Sequence, residues 1–433
     1  MKAKEIILLV LIIAGGIILT QEKTGKVWPD WRAGDFLFFD GRTFTFQESQ
    51  VVEAPLPATL RVVNTHGEVT VEGADTDRVT LTLEKIMRRR NEPEAREVAD
   101  RLHATVTRDG LAVVIGANRD DFQRQNFDTN FRLTVPAGMA LEVENSYGTV
   151  KVRGVSSAAV VNRHGEVDAS GIGGLLKVES SYENVTVDGI RGACEIKSSH
   201  SDVLARRVDG GLTLDHSYGM VTLQNIAAKV LIEGPHSEIL AEDIAGPVDV
   251  RNSYEQITLR RVGPAKVTGQ HSDVEAAEVN GDLEVATEYA FVTASSVRGG
   301  LRVTGKSVGL SGNDVSGGEV YVSTSYEPVE LSGFSGKTTI LVSHGDVVLS
   351  PLALTGAIEV RGDYSSITLH WPPGGPYPLE ARSKSGEIGW HLAEPVQVEE
   401  KEGAQEVRAF SGLTDKPGIL LVTSYENIEV EDN

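Results

Sequence analysis

Cysteine is almost absent from this 433-residue chain: Cys194 stands alone, so no internal disulfide can staple the fold. One cysteine does not identify a compartment either. Aromatics make up only 6% of residues, with four Trp, which excludes a thick aromatic core. Basic residues are in deficit, 41 Lys and Arg against 62 Asp and Glu, for a net charge of −21. That balance excludes nucleic acid as a partner, because phosphates demand a basic face. The longest apolar run, Ile6 to Leu19, reaches only about 21 Å as a helix, short of a hydrocarbon core of about 30 Å. No paired CxxC and no HExxH occurs, so no metal ligand set and no cofactor is expected.

What the sequence has in quantity is repetition. Leu176, Val178, Tyr182, Val185, Val187 and Ile190 are followed by Cys194, Ile196, His200, Val203, Ala205 and Val208. Leu212, Leu214, Tyr218, Val221, Leu223 and Ile226 come next. Relative to the Tyr or His, apolar residues stand at −6, −4, +3, +5 and +8. This is two short alternating strands joined at a polar corner. One such unit cannot bury its apolar face alone, so units must stack. The corners run Tyr147, His164, Tyr182, His200, Tyr218, His236, Tyr254, His271, Tyr289, Ser307, Tyr326, His344 and Tyr364. The same template starts at His66 and returns around Ser385 and Tyr425. The fold class is therefore all-β, a parallel β-solenoid or β-helix.

A second period lies over the first. Tyr and His alternate, and so does the +5 residue: Val152, Ala169, Val187, Ala205, Leu223, Ala241, Leu259, Ala276. The residue two after His is acidic (Glu68, Glu166, Asp202, Glu238, Asp273, Asp346), and after Tyr it is not. An 18-residue coil would stack large on small in one column. A 36-residue coil made of two 18-residue half-coils would set a bulky wall against an Ala wall, and packing favours that arrangement. It gives about six and a half turns, and the 18-residue alternative doubles the length of the rod.

Four segments follow. Residues 1–20, with Lys2 and Lys4 before the apolar run, read as a signal peptide or as an uncleaved membrane anchor over residues 6–19. Both place the remainder outside the cytoplasm, in the periplasm or on the cell surface. Residues 27–140 form an N-terminal cap and first repeat. The cap contains the aromatic stretch Trp28 to Phe46, a short helix from an Asn91 N-cap to about Leu102, and a hairpin at Asp109-Gly110. Residues 141–372 are the regular solenoid, with local irregularity expected at Ser307, where the ring is lost and glycines cluster. The Pro-rich stretch from Trp371 to Pro378 stops the ladder, and residues 373–433 carry terminal repeats and a cap.

Chemistry is sparse. The candidate ligand-contacting residues are the two corner columns: Tyr147, Tyr182, Tyr218, Tyr254, Tyr289, Tyr326 and Tyr364, with His164, His200, His236 and His271. The tyrosines suit cross-strand stacking that pins register, or a platform for a sugar chain or an extended partner. In a 36-residue coil the histidines stack on one another and the +2 acids neutralise them. A His-carboxylate metal ribbon is the sharper alternative. Ser199-His200-Ser201-Asp202 has triad residue types, but adjacent residues cannot reproduce triad geometry. Arg206-Arg207 and Arg260-Arg261 read as solvated edges, as does Arg88-Arg89-Arg90. No catalytic residue is expected, and the chain is read as a non-enzyme.

The stretch Leu60-Arg-Val62-Val-Asn64-Thr-His66-Gly67-Glu68-Val69-Thr-Val71 is followed by a charged helix, by Phe131-Arg-Leu133-Thr-Val135-Pro136, and by the S-[YH]-G-x-V-x-V repeats. Together these resemble the bacterial putative-adhesin family of β-strand-repeat proteins, related to autotransporter adhesin heads. The resemblance covers roughly residues 44–433. It implies an exported, right-handed β-solenoid with adhesion as its function, and it brings no catalytic residues. The Tyr/His alternation departs from that family's Gly- and Asn-rich corners. The reading is a cell-envelope adhesion or binding module, with a glycan or an envelope protein as partner. A self-associating envelope scaffold is the alternative, and a carbohydrate-active β-helix enzyme is a distant third.

Overall fold

The structure is a computed structural model that describes residues 42–122, 125–393, 398–401 and 403–432. The expected signal or anchor and most of the aromatic stretch 27–46 lie outside these residues. Among the described residues no helix is long and apolar enough to cross a membrane.

The chain winds into a parallel β-solenoid of about 13 turns. Each turn holds two strands, such as Leu176–Ser180 with Val185–Ile190, then Cys194–Ser199 with Val203–Val208. The first strand of every turn joins one sheet and the second joins another. Leu176 pairs with Cys194, Cys194 with Leu212, Leu212 with Val230 and Val230 with Val248. These residues line one interior column and are buried. Each buried Val, Leu or Ile contributes about 1.5–3 kcal/mol, so every added coil supports the one beneath it.

The 36-residue coil of two half-coils is therefore wrong: a single Tyr or His unit completes a turn. The +5 column reads Val187, Ala205, Leu223, Ala241, Leu259 on successive rungs. Large sits on small within one wall. Side chains fill space along the axis as well as across the core. At Gly312 an added Cβ would lie 2.6 Å from Leu331 Cδ1 of the next rung. A long side chain thus leans along the axis over its small neighbour and fills that space. The coil at Ser307 is also more regular than expected. Leu301–Thr304 and Val308–Val315 keep their ladders to both neighbouring turns.

Antiparallel strands cap both sheets at the N-terminal end and one sheet at the C-terminal end. Near the N-terminus, in chain order, the strands are β1 (Arg42–Val52), β2 (Thr59–Val63), β3 (Val69–Ala74), β4 (Val79–Arg89), β5 (Ala104–Asp109), β6 (Ala112–Ala117) and β7 (Phe127–Pro136). The β2/β3 turn docks directly on the turn that starts at Ala140. Residues 79–136 are looped out beyond it, with β1 antiparallel on β4, β4 on β7, and β5 on β6. Helix α1 (Glu92–Arg101) starts where Asn91 Oδ1 accepts the Glu94 N–H at 3.0 Å. It packs Ala95 and Ala99 into a small second core with Met87, Leu102, Phe122 and Phe127, against which Phe44 and Phe46 rest. Of the three arginines expected to be merely solvated, Arg88 pairs with Asp128 and Arg89 donates to Gln125, fixing the segment before β7.

At the far end the last turn in sequence is not the last in space. Ile419–Thr423 and Ile428–Glu431 insert between the turn at Ile358 and the turn at Leu379. Ala404–Ala409 then closes the edge antiparallel to Leu379–Ser383. The Pro-rich stretch is what lets the chain leave the ladder and return.

Candidate functional site

From Tyr182 to Tyr364 every corner residue has a positive φ, between 54° and 77° for the Tyr and His residues and 53° for Ser307. Three earlier corners instead place glycine next, Gly67, Gly148 and Gly165, with φ of 124°, 116° and 157°. A left-handed residue reverses the strand in minimal length. For a non-glycine residue it costs roughly 1–2 kcal/mol. A second left-handed position recurs on the opposite side of the coil, at Arg207, Asn225, Asp243 and Arg261. These two reversals per turn let one repeat unit close the coil.

Because one repeat unit makes a whole turn, Tyr and His share one column. Ten rings stack in sequence: His66, Tyr147, His164, Tyr182, His200, Tyr218, His236, Tyr254, His271 and Tyr289. Successive centroids are 4.7 to 5.6 Å apart and planes differ by 24° or less. After Ser307 the stack resumes with Tyr326, His344, Tyr364 and Tyr425. The expected His-on-His ladder is thus corrected: a tyrosine separates each pair of histidines. Protonated imidazoles would then lie two rungs apart rather than one, which weakens their repulsion.

The stack uses up the ring faces. What reaches solvent is the edge of the column, phenol hydroxyls alternating with imidazole nitrogens. Tyr182 is 59% exposed although it has a ring on each face. A flat platform for sugar rings along the whole column is therefore not available, and a row of hydrogen-bonding edges is.

Inward of many corners, at −2, stands a polar residue that ties the turn down. Asn145 Nδ2 donates to Gly148 O at 3.0 Å, Asn162 Nδ2 to Gly165 O at 2.8 Å, and Asn252 Nδ2 to Ser237 O at 2.8 Å. Reading the corners alone misses this column. The signal was there, as Asn, Ser or Gly recurring two residues before the Tyr or His. His216 occupies one of these places and is 1% exposed. Neither of its nitrogens makes a hydrogen bond of good geometry. Burial pushes its pKa below the usual imidazole value, against weaker upward pulls from the Ser198 backbone and from Asp202 and Asp215.

Three of the six acids after His hold a donor on the next rung. Asp202 Oδ1 accepts the Met220 N–H at 2.9 Å, Asp273 Oδ1 the Phe291 N–H at 2.8 Å, and Asp346 Oδ1 the Ser366 hydroxyl at 2.6 Å. Three of the four paired arginines are neutralised: Arg207 binds Asp188, Arg260 binds Glu275 and Arg261 binds Asp243. At that opposite corner Gly154, Gly171 and Gly189 leave a shallow groove of about 510 Å³, flanked by Arg191, Arg207 and Asp209. Among the described residues no three of His, Cys, Asp and Glu converge as metal ligands.

No family model and no curated protein sequence matches the chain. Solved structures similar to it include a putative cell adhesion protein from Clostridium sporogenes ATCC 15579. It has 6% identity and a TM-score of 0.18, over 90% of this chain and 100% of that one. A putative adhesin from Bacteroides fragilis NCTC 9343 has 9% identity and a TM-score of 0.25, over 56% of this chain and 94% of that one. Scores this low carry no argument about function. The adhesin resemblance continues to rest on the repeats themselves.

Proposed function

We propose that this protein is an exported, non-enzymatic binding or adhesion module of the cell envelope, and that the Tyr/His corner is its contact surface. One observation carries the reading. Among the described residues fifteen large hydrophobic side chains are exposed, and ten of them line this one corner: eight tyrosines with Met220 and Phe291. Exposed apolar surface gathered in one stripe marks an interaction site. Energetics point the same way. Glycine would take the left-handed corner without strain, whereas each ring incurs roughly 1–2 kcal/mol there and recovers about 0.5–1.5 kcal/mol per stack. The rings barely break even as structure, so their exposed edges are the better reason for them.

The test is retention of the full chain on isolated envelope fractions and glycan arrays, wild type against Tyr218→Ala/Tyr254→Ala. The double variant should lose retention. Equal retention by a folded double variant removes this reading.

A further inference from the structure

One rung of the column has no ring. Ser307 holds the same left-handed corner as its neighbours, with φ 53° against 55° at Tyr289 and 67° at Tyr326. Ladders on both sides keep it in register. Tyr289 stacks on His271 at 5.1 Å and Tyr326 stacks on His344 at 5.0 Å, and no ring among the described residues meets their other faces. Those two faces look toward each other along the axis across two rungs, roughly 10 Å.

We propose that this gap is a binding slot for a neutral pyranose ring, which enters between Tyr289 and Tyr326 and completes the stack. It rests on the reading of the corner as a contact surface and names the place and the ligand class.

Three features select the occupant. The first is thickness. A guest centred in the slot lies about 5 Å from each wall, the spacing that the column's own rings keep, and a pyranose chair with C–H groups on both faces fills it against two tyrosine faces. The second is the rim. Ser307 is the floor, and Glu288, Lys306 and Glu327 adjoin the three corner residues in sequence, offering partners for ring hydroxyls. Lys306 Nζ stands 5.9 Å from the Tyr289 centroid, within reach of the hydroxyls of a guest stacked on that ring. The third is polarity. A net charge of −21 disfavours an acidic glycan. On one flank the border is apolar: a Cβ at Gly309 would lie 2.4 Å from Phe291 Cδ2, so the Phe291 ring covers Gly309, and Pro328 follows on the next rung.

The experiment is calorimetric titration of the full chain with cellohexaose, maltohexaose and chitohexaose. At least one should bind wild type. Ser307→Tyr supplies the missing ring and should weaken that binding at least about tenfold, as should Tyr326→Ala. Ser307→Ala leaves the slot open and should keep binding near the wild-type value. Circular dichroism checks each fold. Should Ser307→Tyr not fold, Tyr289→Ala takes its place beside Tyr326→Ala. Undiminished binding in the filled or wall-less variants overturns the slot, and so does the lack of binding of all three sugars to wild type. Neither result touches the envelope-retention assay, which reads Tyr218 and Tyr254, at least three rungs away.

Discussion

The His236 and Tyr254 rings lie parallel, at 0°, with centroids 4.8 Å apart, on corners that are successive in the chain. That spacing equals the separation of stacked strands, so the rings repeat at the pitch of the sheet that carries them.

Removing one ring from the middle of the column has a signed consequence. Tyr254→Ala loses two stacks and keeps a strained backbone at φ 77°, and should cost roughly 1–3 kcal/mol. Tyr254→Gly loses the same stacks but relieves the strain, and should be about 1 kcal/mol less destabilised than the alanine variant. Urea unfolding of the two variants decides it. A corner that carries no strain would reverse the order.

His216 should tilt stability against acid. Its folded pKa is lowered by burial, so the unfolded chain binds the proton more readily. The stabilising contribution is whole above the ordinary value of 6.5 and drains away as pH falls from there toward the folded value. His216→Ser resembles the Ser180 and Ser198 rungs of the same column and should flatten that limb. The check is the midpoint of thermal unfolding from pH 7.5 to 4.5, and parallel curves for the two proteins would count against an unpartnered imidazole.

Cys194 is fully buried, and burial pushes its thiol up to about 12. It should resist a thiol reagent at neutral pH in the folded protein and react at once in denaturant. Rapid labelling of the native chain would mean that this column opens.

Leu223 sits between Ala205 and Ala241 in one column. Leu223→Ala should cost about 2–5 kcal/mol, toward the upper end, because neither small neighbour can collapse into the void. Val187→Ala, in the same column, removes less volume and should cost less. The measurement is chemical denaturation, and equal losses would argue against axial filling.

The repeat, the inward positions and the solenoid class were legible because each is local: alternation within a strand and a fixed spacing between strands. The helix at Asn91 was legible for the same reason, through its cap. The corner tyrosines were identifiable as a column, but Gly309 beneath Phe291 and the gap at Ser307 were not, since both depend on which residues share a rung. Ser307 read only as a flaw in the pattern. The partners of three +2 acids were not legible, because they, like the Met220 N–H, belong to another coil.

Sequence alone determined that apolar residues at −6, −4, +3, +5 and +8 must be buried by stacking, because no single unit can cover them. Tertiary structure decided how much chain closes a turn. That length follows from backbone reversals at residues such as Tyr218 and Arg261, types that do not announce a left-handed conformation. Once a single repeat unit closed the coil, Tyr had to meet His, and the column of rings with its one ringless rung followed.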